Sequence, residues 1–261
     1  LLFLVSYLLY VLLVMAPAQR LVIQPLIRLF PSRRPRMLRP GVRLQAGVVL
    51  AFARALAGMR VVVEGKIPPT SCIVVMNHQS VLDVPLGAFQ VPGPYPLIPT
   101  RASYARSIPG ISTLLRMMGC PLLSQGRSAT RAELKSLLDA AEQVARGDQS
   151  FLTFPEGHRS SSGEILPFMT PGLSLIFKRA RERPVYLVVA DGLHHLRAFK
   201  EIATQSAGTR VRVTIAGPYT IPAEDYQLAG FIESLRLRMV ETLGRMRTDS
   251  SGMQALAARS V

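Results

Sequence analysis

The sequence predicts an α/β domain, a mixed, partly parallel sheet flanked by helices, joined to an N-terminal helical membrane anchor. Three observations predict it. From residue 60 onward, short runs rich in β-branched residues alternate with longer segments of helical periodicity, as in sheets whose crossovers are helices. Two of those runs, residues 72–76 and 150–153, lead directly into polar loops that carry His, Asp, Glu and Arg, so both loops should fall at the rim of the sheet. Residues 1–19 contain no charge, and as a helix rising about 1.5 Å per residue they nearly span a bilayer core.

Taken in order, the first segment reads as an anchor. Ala16-Pro17-Ala18 imitates a signal-peptidase site, but no basic stretch precedes the apolar run, which argues against a cleaved leader. The chain opens without Met, so a further piece is expected upstream of Leu1. Residues 21–30 are apolar apart from Gln24 and Arg28 and suit the membrane interface. Residues 31–43 carry Arg33, Arg34, Arg36, Arg39 and Arg43 among Pro31, Pro35 and Pro40. Prolines at that density predict an irregular basic elbow rather than a regular helix. The positive-inside tendency puts the elbow on the cytoplasmic face, where each Arg near an anionic leaflet contributes about 1 kcal/mol. Residues 44–60 form a second apolar helix that either packs on the domain or dips into the bilayer. The expected division is therefore an anchor and elbow at 1–43, a domain at 44–247, and a weakly structured tail at 248–261.

Within the domain, residues 61–63 and 72–76 read as strands around a turn containing Gly65, Pro68 and Pro69. Leu97-Ile98 makes a short strand and residues 108–118 a helix. Thr130-Arg131-Ala132-Glu133 is a capping box. It opens a helix with Leu134, Leu137, Leu138, Ala141 and Val144 on its buried face and Gly147 at its end. Thr170-Pro171 starts another helix that stops before Pro184. Residues 185–190 and 210–215 are further strands, and residues 231–246 a closing helix.

Composition narrows the partners. Lys and Arg number 31 against 16 Asp and Glu, a net charge of +15. Such an excess suits an anionic membrane surface, an anionic substrate or nucleic acid. Cys72 and Cys120 both sit in apolar runs and read as buried thiols, not as a disulfide or metal site. His194-His195 lack further ligands at metal-like spacing. The loop at 157–164 lacks the Lys of a P-loop. Gly172-Leu173-Ser174-Leu175-Ile176 fails as a nucleophile elbow at its last position.

The chemistry concentrates in two loops. Asn77-His78-Gln79-Ser80-Val81-Leu82-Asp83 follows the strand at 72–76. It places His78 where a strand ends and a helix begins, with Asp83 five positions later. A carboxylate there can hold one imidazole nitrogen while the other faces a hydroxyl, which makes His78 a candidate general base. Phe154-Pro155-Glu156-Gly157-His158-Arg159 follows the strand at 150–153 in the same way.

Together the two loops resemble the glycerolipid acyltransferases, the family of 1-acylglycerol-3-phosphate (lysophosphatidic acid) acyltransferases. NHQSVLD stands for that family's NH-x4-D block and FPEGHR for its FPEG-x-R block, and the resemblance covers roughly residues 60–215. It implies that a lysophospholipid hydroxyl attacks the thioester of acyl-CoA or acyl carrier protein, with His78 and Asp83 as the catalytic pair. It implies no metal and no cofactor beyond that acyl co-substrate. Arg159, and Arg127 at the end of Gly119-Cys120-Pro121-Leu122-Leu123-Ser124-Gln125-Gly126-Arg127, would meet the acceptor's phosphate. Glu156 would bind the glycerol or brace the site, and backbone N–H groups around Glu156 and Gly157 would receive the tetrahedral oxyanion. The implied partners are membrane lipid, the lysophospholipid acceptor and the acyl donor, not nucleic acid, with the site on the cytoplasmic face. The oligomeric state is left open. Met169 stands where the family has a basic residue and Leu187 where it has a proline. Both departures bear on the headgroup, so lyso-ornithine lipid is an alternative acceptor. Two other classes compete: a thioesterase-like hydrolase, and a non-catalytic membrane protein that binds anionic lipid or nucleic acid through its arginines.

Overall fold

The computed structural model describes residues 2–108, 110–124 and 130–259. The chain begins with an apolar helix, α1 (Leu2–Leu29), widened at Val11–Met15 and Gln19–Ile23 into π-type turns. A single 3₁₀ turn, Pro31–Arg33, reverses it into α2 (Arg34–Ala57). The proline-rich basic stretch is thus the first half of a helix, not the irregular elbow that its composition predicts. Pro35 sits in the first turn, where a missing N–H has no partner to lose. Pro40 alone lies inside the helix, where it forfeits one bond. Burial of Leu38, Val42, Ala46, Ala53 and Ala57 along one stripe offsets that loss.

The arginines of this stretch are not all turned outward. Arg34 Nε donates to the Met117 carbonyl at 2.7 Å and Arg39 Nη2 to the Pro92 carbonyl at 3.0 Å. Arg43 lies over the Phe89 ring at 5.4 Å. These three fasten α2 to the domain. α1 folds back along α2, with Tyr7 and Tyr10 against Phe52 and Gln45 Nε2 donating to the Tyr10 hydroxyl at 2.7 Å. Its other face leaves Leu8, Leu9, Leu12, Leu13, Leu21 and Leu29 exposed. A helix long and apolar enough to cross a membrane, with so little of it covered by the domain, is a candidate membrane anchor.

The domain follows as β1 (Arg60–Glu64), β2 (Ile73–Met76), α3 (Asp83–Phe89), β3 (Pro96–Leu97), β4 (Thr100–Arg101), α4 (Tyr104–Ser107), α5 (Ile111–Met118), β5 (Leu122–Leu123), α6 (Arg131–Ala145), β6 (Ser150–Thr153), α7 (Thr170–Arg179), β7 (Val185–Asp191), α8 (Phe199–Gln205), β8 (Arg210–Tyr219) and α9 (Leu228–Arg259). The main sheet has the order β1-β8-β7-β2-β6-β3. Every neighbouring pair is parallel except β7 with β8. β4 and β5 make a separate parallel pair. α7 packs on α6 and α9, α9 on β7, and α2 on α3.

β2 is central, buried at all four residues, with Ile73 in register with both Phe151 of β6 and Val185 of β7. This is why its sequence is continuously apolar rather than alternating. The capping box at Thr130 and Glu133 forms as its residue types dictate. β4, β5 and α8 are too short to leave a periodic signal. The helix expected over 108–118 begins only at Ile111. α9 keeps a helical backbone to Arg259, past Thr248, where the composition suggests weak structure.

Because α1 ends before the turn at Pro31, the anchor can be removed without cutting α2. Deleting residues 1–33 should move most of the protein from the membrane to the soluble fraction while the domain stays folded. Deleting residues 1–43 severs α2, taking buried Leu38 and Val42 with it, and should also lower Tm by several degrees. Fractionation and thermal unfolding of both truncations check this.

Candidate active site

Parallel pairing puts the C-terminal ends of β2, β6 and β7 on one edge of the sheet, and the segments after them meet there. Asn77, the first residue past β2, prolongs the sheet with its side chain. Its Nδ2 donates to the Ala190 carbonyl and its Oδ1 accepts the Ala190 N–H, both at 2.8 Å. His78 follows, and the chain then turns tightly around Asp83, the first residue of α3. Asp83 is fully buried. Its Oδ2 accepts the N–H groups of Gln79 and Ser80, both at 2.6 Å, and lies 2.9 Å from His78 Nδ1.

That arrangement selects a tautomer. A carboxylate oxygen only accepts, so the proton of the His78–Asp83 bond belongs to Nδ1 and the lone pair is left on Nε2. The Phe154 ring stacks on the imidazole at 4.4 Å between centroids and 29° between planes. The side chain of His78 keeps 17% of its surface exposed while that of Asp83 keeps none. The pair can therefore take a proton from a hydroxyl at Nε2 and return it, with the carboxylate stabilising the charged ring.

Glu156 joins the second loop to the first. It is 1% exposed; its Oε1 accepts the His78 N–H at 2.9 Å and its Oε2 the Leu166 N–H at 3.0 Å. Of the two roles the sequence leaves open, this geometry is that of a brace. Burial pushes its carboxyl up to about 7, against the downward pull of the two N–H bonds. The Ser160 N–H donates to the His78 carbonyl at 2.7 Å, so both sides of the His78 backbone are held by the FPEGHR loop. Gly157 has φ +71, and a Cβ there would collide with Met169 Sδ. Its N–H already donates to the Phe154 carbonyl at 3.1 Å. That N–H closes a turn, so the oxyanion role expected of it does not fit.

Arg159, beside Ser160, is half-buried and donates through Nη1 to the Arg197 carbonyl. This holds one edge of the guanidinium and leaves other N–H groups for a ligand. Arg127 lies outside the described residues. Met169 is 65% exposed against the Gly157 turn, whereas Leu187 is fully buried in β7 opposite Val75. Leu187 is a core residue and not, as the resemblance implies, a position at the headgroup, while Met169 lies at the surface. His194 and His195 sit ring edge to face at 5.7 Å. No group of three metal-type side chains assembles among the described residues.

The family model described as Acyltransferase matches residues 59–190, half of the chain, including every residue of the two loops. This chain belongs to the acyltransferase family. It is 27% identical over 212 residues to 1-acyl-sn-glycerol-3-phosphate acyltransferase alpha of Mus musculus, covering 78% of this chain and 71% of that one. The same protein of Homo sapiens is 26% identical over 209 residues, covering 78% and 71%. Among solved structures, the 1-acyl-sn-glycerophosphate (LPA) acyltransferase PlsC of Thermotoga maritima shares the fold. Its TM-score is 0.64 at 24% identity, over 92% of this chain and 95% of that chain.

Several residues that hold these two loops together escape a motif reading. Gln79 Nε2 donates to the Gly163 carbonyl at 3.1 Å and its Oε1 accepts the Leu193 N–H at 3.0 Å. Ser80 Oγ donates to the Leu196 carbonyl. Arg247, on α9, donates to the same Gly163 carbonyl at 3.1 Å and to Asp191 at 3.2 and 3.3 Å. A helix beyond the matched family region thus braces the loop that Gln79 grips. The polarity of NHQS hints that its middle residues have partners, but Arg247 gives no signal in a sequence that holds so many arginines.

Glu156 supplies the pH test. Its carboxyl is raised from an ordinary 4.5 to about 7 in the fold. Its contribution to stability is therefore fully present below about 4.5 and lost as pH rises through about 7, on the order of 3 kcal/mol by linkage. Glu156→Gln should flatten that part of the Tm–pH curve. It should also lower Tm overall, because the amide turns an N–H donor toward a backbone N–H. Thermal unfolding of both proteins from pH 4 to 8 checks it.

Proposed function

We propose that this acyltransferase moves a fatty acyl group from a thioester donor, acyl-CoA or acyl carrier protein, to the free hydroxyl of 1-acylglycerol-3-phosphate. The product is phosphatidic acid, formed at the cytoplasmic face of a membrane where such donors are found. The observation that carries this reading is the 2.9 Å bond between His78 Nδ1 and a buried Asp83, which turns Nε2 into a base. Nε2 takes the hydroxyl proton as the acceptor oxygen attacks the thioester carbonyl. The C–S bond then breaks and the departing thiolate recovers the proton from the imidazolium. Asp83 holds Nδ1 through the 2.9 Å bond and steadies the charged ring. Glu156 acts by bracing the His78 backbone and touches no substrate. The names of the relatives support the acceptor, as does Arg159, whose free N–H groups suit a phosphate. The exposed α1 supports the membrane location.

Met169 favours a second reading for the headgroup. An exposed thioether beside the FPEGHR turn, where a cation would draw in phosphate, suits a less anionic acceptor such as lyso-ornithine lipid. Detergent-solubilised protein given labelled acyl-CoA with no acceptor, with lysophosphatidic acid, or with lyso-ornithine lipid separates the readings. Lipid product only with lysophosphatidic acid supports the first. Product with the ornithine lipid instead supports the second, and free fatty acid without acceptor would mark a hydrolase.

His78→Ala should lower kcat by about 10²–10⁴-fold, the usual share of a positioned base, with the circular dichroism spectrum unchanged. Asp83→Asn should lose a similar factor, since an amide nitrogen in place of Oδ2 turns a donor toward the Nδ1 proton. Near wild-type turnover of the alanine variant would remove His78 from the chemistry.

Arg159→Ala should raise KM for lysophosphatidic acid about tenfold, some 1.4 kcal/mol, and leave KM for the acyl donor within about twofold. Arg159→Lys should recover part of this, since it keeps the charge without the fork. Steady-state kinetics in both substrates decide it.

A further inference from the structure

A cleft of about 540 Å³ lies between α1 and the α4–α5 pair, and none of its lining residues belongs to the His78 or Glu156 loops. Three arginines from three separate elements line it: Arg20 of α1, Arg106 of α4 and Arg116 of α5. Among the described residues no acidic side chain lines the cleft, and none of the three arginines forms an ion pair with Asp or Glu.

The cleft is held in shape. Arg116 Nη1 donates to the Ala105 carbonyl at 2.6 Å, and its Nη2 lies 3.4 Å from Thr113 Oγ1. One guanidinium is therefore oriented before any ligand arrives. Gly110, at φ +69, brings the start of α5 so close to α1 that a Cβ would stand 2.8 Å from Val11 Cγ1. That close approach seats α1 against the start of α5, and Arg20 and Arg116 line the same cleft. α1 also lends the cleft apolar surface, with Leu12 and Leu21 at 44% and 76% exposure.

Three guanidinium groups around one cleft repel each other, and an anion between them reverses the sign. Their planar forks match phosphate oxygens. The exposed leucines at the rim specify that the phosphate should carry hydrocarbon. We infer that this cleft binds the headgroup phosphate of an anionic phospholipid, whose acyl chain lies along Leu12 and Leu21. The inference rests on reading α1 as the membrane-facing helix, and the site is separate from the acceptor site at Arg159.

The test uses the full chain in neutral detergent, so that site occupancy is read apart from membrane anchoring. Dihexanoyl phosphatidylglycerol and inorganic phosphate are titrated separately by calorimetry. Arg20→Gln/Arg106→Gln is compared with Arg33→Gln/Arg36→Gln, which removes the same charge from exposed positions outside the cleft. The cleft pair should weaken phosphatidylglycerol binding tenfold or more and the control pair less than twofold. Transfer of acyl groups from acyl-CoA to a soluble lysolipid should be unchanged in the cleft pair. Arg20→Gln alone, on the exposed side of α1, should weaken binding about threefold and serves if the double variant unfolds. Equal losses in the two pairs would reduce the effect to diffuse charge and overturn the site. Inorganic phosphate binding as tightly as the lipid would overturn the lipid as its ligand.

Discussion

The site depends on one buried carboxylate oxygen. Asp83 Oδ2 gathers two backbone N–H groups and the His78 imidazole within 2.9 Å, in a side chain with no exposed surface. Taking a carboxylate out of water costs several kcal/mol unless hydrogen bonds replace its hydration. At Oδ2 the replacement comes from the turn that the carboxylate itself organises, while Oδ1 is buried without a partner among the described residues. The loop closes because the charge needs donors, and the charge is tolerated because the loop closes. His78 is oriented as a by-product of that mutual requirement, which is why a five-residue separation suffices without a regular helical turn between the partners.

Glu156 repeats the device in the second loop. It too is buried, and it too is satisfied by backbone N–H groups, one of them from His78 itself. Two acidic side chains thus clamp one stretch of main chain from both sides, and the Ser160 N–H on the His78 carbonyl completes the hold. The outer ring of Gln79, Gly163 and Arg247 carries this rigidity out to α9. The geometry around His78 is therefore a property of polar contacts among loops, while the sheet only brings the loops to the same edge.

The N-terminal hairpin belongs to the same economy of contacts. α2 is fastened to the domain by Arg34, Arg39 and Arg43, and α1 is fastened to α2 by aromatic rings and the bond from Gln45 to Tyr10. Basic charge that looks free for a membrane in the sequence is divided between internal fastening and the surface. The apolar face of α1 is thereby held at a set place relative to the domain.

The sequence by itself determined the alternation of strands and helices, the capping box at Thr130, the burial of the 73–76 strand, and the pairing of His78 with Asp83. All of these are local: they follow from residue type, periodicity or a separation of a few positions. Tertiary structure alone decided the rest. Whether Pro40 breaks a helix depends on how much surface the rest of α2 buries. Whether Glu156 meets substrate or main chain depends on where the His78 N–H lies, 78 positions away in the chain. Leu187 looks like a departure at the acceptor and is a core residue, because strand order places it beside Val75. Arg247 reaches Gly163 only because α9 packs on β7. Hydrogen-bond partners and burial are set by neighbours in space, and a parallel sheet makes its spatial neighbours out of residues far apart in sequence.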